Sequence, residues 1–299
     1  MSATQSATSS SAERIHYKNA SIDGLNIFYR EAGSAARPAI VLLHGFPSSS
    51  HMYRDLIPQL AVHYHVIAAD LPGFGYSSQP AISDFAYTFD HLAEVIDRFL
   101  DTIGLTRYSI YVHDYGSPVG FRLFLKHPER IEAIISQNGN AYTEGLSPFW
   151  AETIEPYWKS KTPETEAKAR ALLTLESTRF QYTTGVQNPE FINPDSYFFD
   201  QATLDRPGNQ EIQLALFYDY QNNVKQYPQW HETLRKHQPP LLAVWGKNDP
   251  IFLPAGAEAF RRDVPGAEVH FLDTGHFALE DHAGPIAQHI LRFLQAHVG

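Results

Sequence analysis

Asp114 sits at the centre of the run 108–120 (YSIYVHDYGSPVG), where an apolar, strand-like stretch breaks into a sharp turn and continues as a helix. Such a turn strains the backbone and lifts one side chain above the strand end, where it can attack a substrate. A carboxylate is already anionic at neutral pH and needs no base before it attacks. It can displace a leaving group from saturated carbon and form an alkyl ester. Asp is also a good helix N-cap, so the residue type alone fits either role. Val112, two positions earlier, is larger than the small residue a tight turn favours.

Two further residues stand at strand ends. Asp249 follows the apolar run Leu241–Trp245, and His276 follows Val269–Leu272. A histidine oriented by a carboxylate can take a proton from water. Nucleophile, acid and histidine therefore occur in a workable chain order. A fourth element, His44-Gly45-Phe46-Pro47, follows the apolar run Ala39–Leu43. Its Phe46 amide and the Tyr115 amide could together hold a developing oxyanion. An ordinary Gly-Pro turn would look the same. His63 and His65 lie two apart, without a His-Glu-x-x-His helix, and read as surface or loop residues. Gly73 and Gly75 lack the spacing of a dinucleotide fingerprint and read as loop. There is no cysteine. Neither a metal site nor a cofactor is expected.

These residues need a scaffold. Strand-like pieces are expected at Arg14–Asn19, Leu25–Ala32, Ala39–Leu43, Val66–Ala69, Tyr108–Val112, Ile131–Ser136, Leu241–Trp245 and Val269–Leu272. Runs apolar on both faces imply buried parallel strands. Helices are expected at Met52–Ala61, capped from Ser48–Ser50, and at Phe89–Ile103, Tyr115–Lys126, Ala255–Arg262 and Ile286–His297. Alternation of the two implies a doubly wound sheet. Residues 140–235 break the alternation with aromatic and amide-rich sequence and helical patches at Ala167–Phe180 and Gln210–Tyr220. They read as a helical cap inserted into a core of residues 13–139 and 236–299; a separate small domain is the alternative.

The bulk numbers set bounds. The chain has 299 residues, 43% hydrophobic and 19% charged, with a formal charge of −10. An acidic surface disfavours nucleic acid and anionic membranes as partners. Residues 1–12 (MSATQSATSSSA) read as a disordered tail without the apolar stretch of a secretory signal. No run reaches the length of a membrane span. A cytoplasmic location is expected, with a small apolar molecule and water as partners and a homodimer left open.

At these residues the sequence resembles the α/β-hydrolase superfamily over nearly its whole length after the tail. More narrowly it resembles the epoxide hydrolase and haloalkane dehalogenase branch, whose elbow carries Asp. Residues 112–117 (VHDYGS) are similar to the VIHDWGS run of dehalogenases. Residues 44–47 (HGFP) are closer to epoxide hydrolases, and residues 70–77 (DLPGFGYS) resemble a loop both groups share. The resemblance implies an α/β-hydrolase fold: a mostly parallel sheet flanked by helices, with an inserted helical cap. It implies Asp114 as nucleophile, Asp249 and His276 as its partners, and Phe46 and Tyr115 as oxyanion donors. Epoxide hydrolases add two cap tyrosines; residues 216–219 (LFYD) point to Tyr218, and Tyr157 or else Tyr182 would be the second. Dehalogenases hold halide with a Trp after the nucleophile and a second N–H donor. Fluoroacetate-type enzymes carry Arg after the nucleophile. Here Tyr115 and Phe46 stand at those positions. Epoxide hydrolysis to a diol is thus expected first and haloalkane or haloacid dehalogenation second. A non-catalytic ligand-binding protein of this fold and an esterase using Ser117 are further alternatives.

Overall fold

The computed structural model describes residues 14–298; the expected tail at 1–12 lies outside them. The strands are β1 (His16–Ile22), β2 (Leu25–Ala32), β3 (Ala39–Leu43), β4 (His65–Ala69), β5 (Tyr108–Val112), β6 (Ile131–Gln137), β7 (Leu241–Gly246) and β8 (Glu268–Leu272). They form one sheet in the order β1-β2-β4-β3-β5-β6-β7-β8. β1–β2 and β2–β4 pair antiparallel, and every later pairing is parallel. Every residue of β3, β4, β5 and β7 is buried, because helices cover both faces. That is why these strands read as unbroken apolar runs rather than alternating ones. His65 is a correction: it opens β4, buried, with Nε2 2.7 Å from Glu31 Oε1, so it is not a loop residue.

The helices are α1 (Ile57–Leu60), α2 (Phe89–Thr102), α3 (Gly116–Lys126), α4 (Glu155–Lys159), α5 (Pro163–Ala171), α6 (Leu175–Thr183), α7 (Pro194–Leu204), α8 (Asn209–His237), α9 (Pro254–Asp263) and α10 (Leu279–His297). In α2 the Thr88 side chain caps the first turn by accepting from the His91 amide, and Leu92, Val95, Ile96, Phe99 and Leu100 form its buried stripe. The two sheet faces carry separate apolar clusters. One gathers Val41, Leu43, Ile67 and Val112 under α2 and α3. The other gathers Ile40, Leu42, Val66 and Val244 under α1 and α10.

Several helices differ from expectation, α10 by starting seven residues earlier, at Leu279. The Met52–Ala61 segment is a 3-10 turn (Ser50–Tyr53) followed by the single turn of α1. Pro58 suits the start of a helix and not its interior, so it splits the segment. The Ala167–Phe180 patch is two helices, α5 and α6, the second restarted by the Thr174 cap. Helix α8 runs 29 residues, beyond both the expected patch and the expected boundary at 235/236. Between β6 and β7 the chain is therefore helical, and this excursion lies over the ends of the strands that carry Asp114, Asp249 and His276. Among the described residues no helix is long and apolar enough to cross a membrane.

Candidate active site

The link between β5 and α3 is a sharp elbow. Asp114 has φ +46°, a left-handed conformation that Asp tolerates better than most residues. The turn closes through the Gly116 amide, which donates to His113 O at 2.7 Å. The glycines around it are forced. A Cβ on Gly116 would overlap the Leu43 carbonyl, and one on Gly45 would overlap Asp114 itself. Val112 is tolerated because it faces Gly120, where a Cβ would strike it.

Asp114 Oδ1 accepts from the Phe46 amide at 2.6 Å. The Tyr115 backbone amide also hydrogen-bonds the carboxylate. The loop carrying Phe46 is held by His44, which sequence reasoning treated only as part of a turn. The Leu71 amide donates to His44 Nε2 at 3.0 Å, so the other nitrogen, Nδ1, bears the proton and donates to Gly45 O at 3.0 Å. Burial keeps this ring neutral by lowering its pKa.

His276 is fully buried. Its Nδ1 lies 2.7 Å from Asp249 Oδ2, and its Nε2 lies 3.9 Å from Asp114 Oδ2. Asp249 Oδ1 accepts from the Ile251 amide, and Oδ2 also accepts from Asn138 Nδ2, each at 2.7 Å. Asn138 is a second residue the sequence reading missed. It follows β6 with φ +47°, and its Oδ1 accepts from the Gly246 amide. An Asn-Gly pair at a strand end is the signal that could have marked it.

Burial dominates Asp114 and pushes its carboxyl up to about 6, against the His276 charge and the two amides. Burial pulls His276 down, but the Asp249 and Asp114 carboxylates outweigh it and raise its pKa. The pair can thus hold an anionic nucleophile beside a basic imidazole.

A cavity of about 190 Å³ opens on Asp114, Phe46 and Tyr115 and is walled by Trp150, Ile154, Leu172, Phe217, Ile251 and their neighbours. Among the described residues no cluster of three or more His, Cys, Asp or Glu could hold a metal ion.

The matching family model, described as the alpha/beta hydrolase fold, spans residues 38–283. The chain belongs to this α/β-hydrolase family. It is 48% identical over 273 residues to the uncharacterized hydrolase YNR064C of Saccharomyces cerevisiae, covering 90% of this chain and 93% of that one. It is 27% identical over 290 residues to a haloalkane dehalogenase of Mycobacterium marinum, covering 89% and 88%. It is 26% identical over 291 residues to epoxide hydrolase 3 of Mus musculus, covering 92% and 76%.

In this hydrolase the tyrosines expected as cap donors have other surroundings. Tyr218, Tyr157 and Tyr182 do not line the cavity. Tyr157 and Tyr218 pack edge to face with Lys161 over the Tyr218 ring. The Tyr182 hydroxyl donates to Asp200, and its ring stacks on Phe277. Along α8 it is Phe217, one residue before Tyr218, that faces Phe46 and the cavity. One helical position is about 100°, enough to turn Tyr218 away. Ser117 is unavailable as a nucleophile, since it is fully buried and donates to Asn140 O at 2.9 Å.

Proposed function

We propose that this hydrolase opens a small, apolar electrophile, an epoxide first, through a covalent ester on Asp114. The observation that carries the reading is the state of the Asp114 carboxylate. Its Oδ1 is held by the Phe46 amide, while Oδ2 lies 3.9 Å from His276 Nε2. In the first step Oδ2 attacks the carbon, a C–O ester bond forms, and the electron pair leaves with the epoxide oxygen. In the second step His276, oriented by Asp249, takes a proton from water, and that water attacks the ester carbonyl carbon. The charge then gathers on Oδ1, where the Phe46 amide already donates and the Tyr115 amide, also bonded to this carboxylate, would assist. One such donor is worth about 3–4 kcal/mol of barrier. The helices between β6 and β7 act as the cap, keeping bulk water from an apolar pocket.

Halide release is the second reading, favoured by the name of the Mycobacterium marinum relative. The site supports it less. Trp150 lines the cavity, but its indole N–H donates to Ile251 O at 3.1 Å.

Turnover in heavy-oxygen water tests the mechanism, and product analysis tests the substrate. The first turnover should place an ordinary oxygen from Asp114, and no heavy oxygen from solvent, in the product, and the heavy oxygen should instead appear on Asp114. No enrichment at Asp114 would sink the ester. A panel of epoxides and haloalkanes, scored for diol and halide, separates the two substrates. Binding without product, unchanged in Asp114→Asn, would reveal a binding protein instead.

A further inference from the structure

With the tyrosines turned away, the leaving oxygen needs another donor. The side chains on the cavity wall that carry polar groups besides Asp114 and Tyr115 are Trp150, Ser177 and Gln181. The Tyr115 hydroxyl is itself buried away from the cavity space, and the Trp150 N–H is occupied. Gln181 is only 6% exposed, yet its amide makes no hydrogen bond among the described residues. Unlike the Tyr115 hydroxyl, this amide is not sealed off, so a ligand in the cavity can supply the partner that the protein does not.

Gln181 is also held firmly. Ser177, Phe180 and Gln181 occupy positions i, i+3 and i+4 of α6 and share one face toward the cavity. The end of this helix is fastened to the loops that carry Asp249 and His276. Asn248 Nδ2 donates to Gly185 O at 2.9 Å, and Gln187 Nε2 donates to Asp273 Oδ2 at 2.5 Å. Gly275, next to His276, lies so close to the Thr184 carbonyl that a Cβ there would overlap it. Tyr182 stacks on Phe277 with ring centroids 3.9 Å apart. Thus the helix bearing Gln181 is in register with the catalytic loops and not free to drift.

The geometry points to Gln181 as the donor to the leaving group, its carboxamide N–H holding the oxygen released when Asp114 attacks. This inference rests on the ester reading above. An amide stabilises the alkoxide by hydrogen bonding and keeps its own proton. The alkoxide takes a proton from water, and the hydroxide so formed is consumed when the ester is hydrolysed. The sum is epoxide plus water to diol. Because a neutral amide bonds any electronegative leaving atom, the same residue would serve a halide.

The test isolates the first step. In a His276→Gln background the ester accumulates, and its rate of appearance on the Asp114 peptide is read by mass with styrene oxide as probe. Adding Gln181→Met, similar in shape but without N–H, should slow ester formation about 10- to 100-fold. Gln181→Glu is closer still in shape; at pH 8 its carboxylate accepts but does not donate, so ester formation should fall at least as far. Ester formation within about twofold of the parent rate in either folded variant would overturn the assignment. If Asp114 acquires no ester even with Gln181 intact, the ester mechanism fails first, and the donor role falls with it.

Discussion

His276 Nε2 stands 3.9 Å from Asp114 Oδ2, too far for a hydrogen bond, while its Nδ1 is bound to Asp249 at 2.7 Å. A serine nucleophile would need the imidazole against it to lose its proton. A carboxylate does not, and the wider gap suits a water between the base and the ester carbon. In the proposed ester mechanism this spacing assigns the histidine to the second step and not the first. His276→Gln should leave ester formation largely intact and stop its hydrolysis. Mixed with substrate, the variant should show a mass increase on the peptide containing Asp114 and should consume a single equivalent of substrate without releasing product. Equal slowing of both steps would contradict this division of labour.

The acid side of the pH profile should report Asp114. Only the anion attacks, and burial pushes this carboxyl up to about 6. The value of kcat/KM should fall roughly tenfold per pH unit below about 6, and not near 4 as for an exposed carboxylate. Initial rates at low substrate across pH 4.5–8 check this. Because the ester carries no charge, the Asp114 contribution that raises His276 is lost on alkylation. The imidazole of the ester should thus be neutral, and able to act as base, at lower pH than in the free enzyme.

Asn138 should act on the second step through Asp249. Its Nδ2 donates to the same Oδ2 that binds His276, and its Oδ1 holds the Gly246 amide. Asn138→Ala leaves the carboxylate one donor short and the Gly246 amide unpaired. Hydrogen bonds to charged groups are worth about 1.5–3 kcal/mol, so ester hydrolysis should slow by about 10- to 100-fold. Single-turnover decay of the preformed ester measures it. A change confined to KM would show that Asn138 does not orient Asp249.

Much of this arrangement was legible in the sequence, for a physical reason. β3, β5 and β7 are buried on both faces and so advertise themselves as apolar runs, and Asp114, Phe46 and Asp249 follow their ends directly. Short links fix where such residues point. The helical excursion was less legible. Tyr218 lies on α8, and whether it or Phe217 meets the cavity is set by the rotation of a 29-residue helix packed against α3 and α4. A motif of four residues carries no such information. Asn138 and His44 escaped notice because their partners, Asp249 and the Leu71 amide, are distant in the chain. Gln181 gave no signal at all, since its role depends on which polar groups remain unpartnered after folding.

The last expectation concerns stability. The folded protein holds the Asp114 proton more tightly than the unfolded chain, since the carboxyl is raised from 3.8 to about 6. Between these values the unfolded state is the more ionised, so stability falls as pH rises through that window. Above about 6 the full cost of burying the charge is present. Asp114→Asn removes the charge, and Asn also tolerates a positive φ and keeps an oxygen for the Phe46 amide. The variant should therefore be more stable than the parent at pH 7.5, by on the order of 2–3 kcal/mol for a shift of about two units. The gain should shrink toward zero near pH 4, where the parent carboxyl is neutral in both states. Denaturant unfolding of both proteins at the two pH values decides the point. A variant less stable at pH 7.5 would mean that burial does not raise the Asp114 carboxyl above its ordinary value.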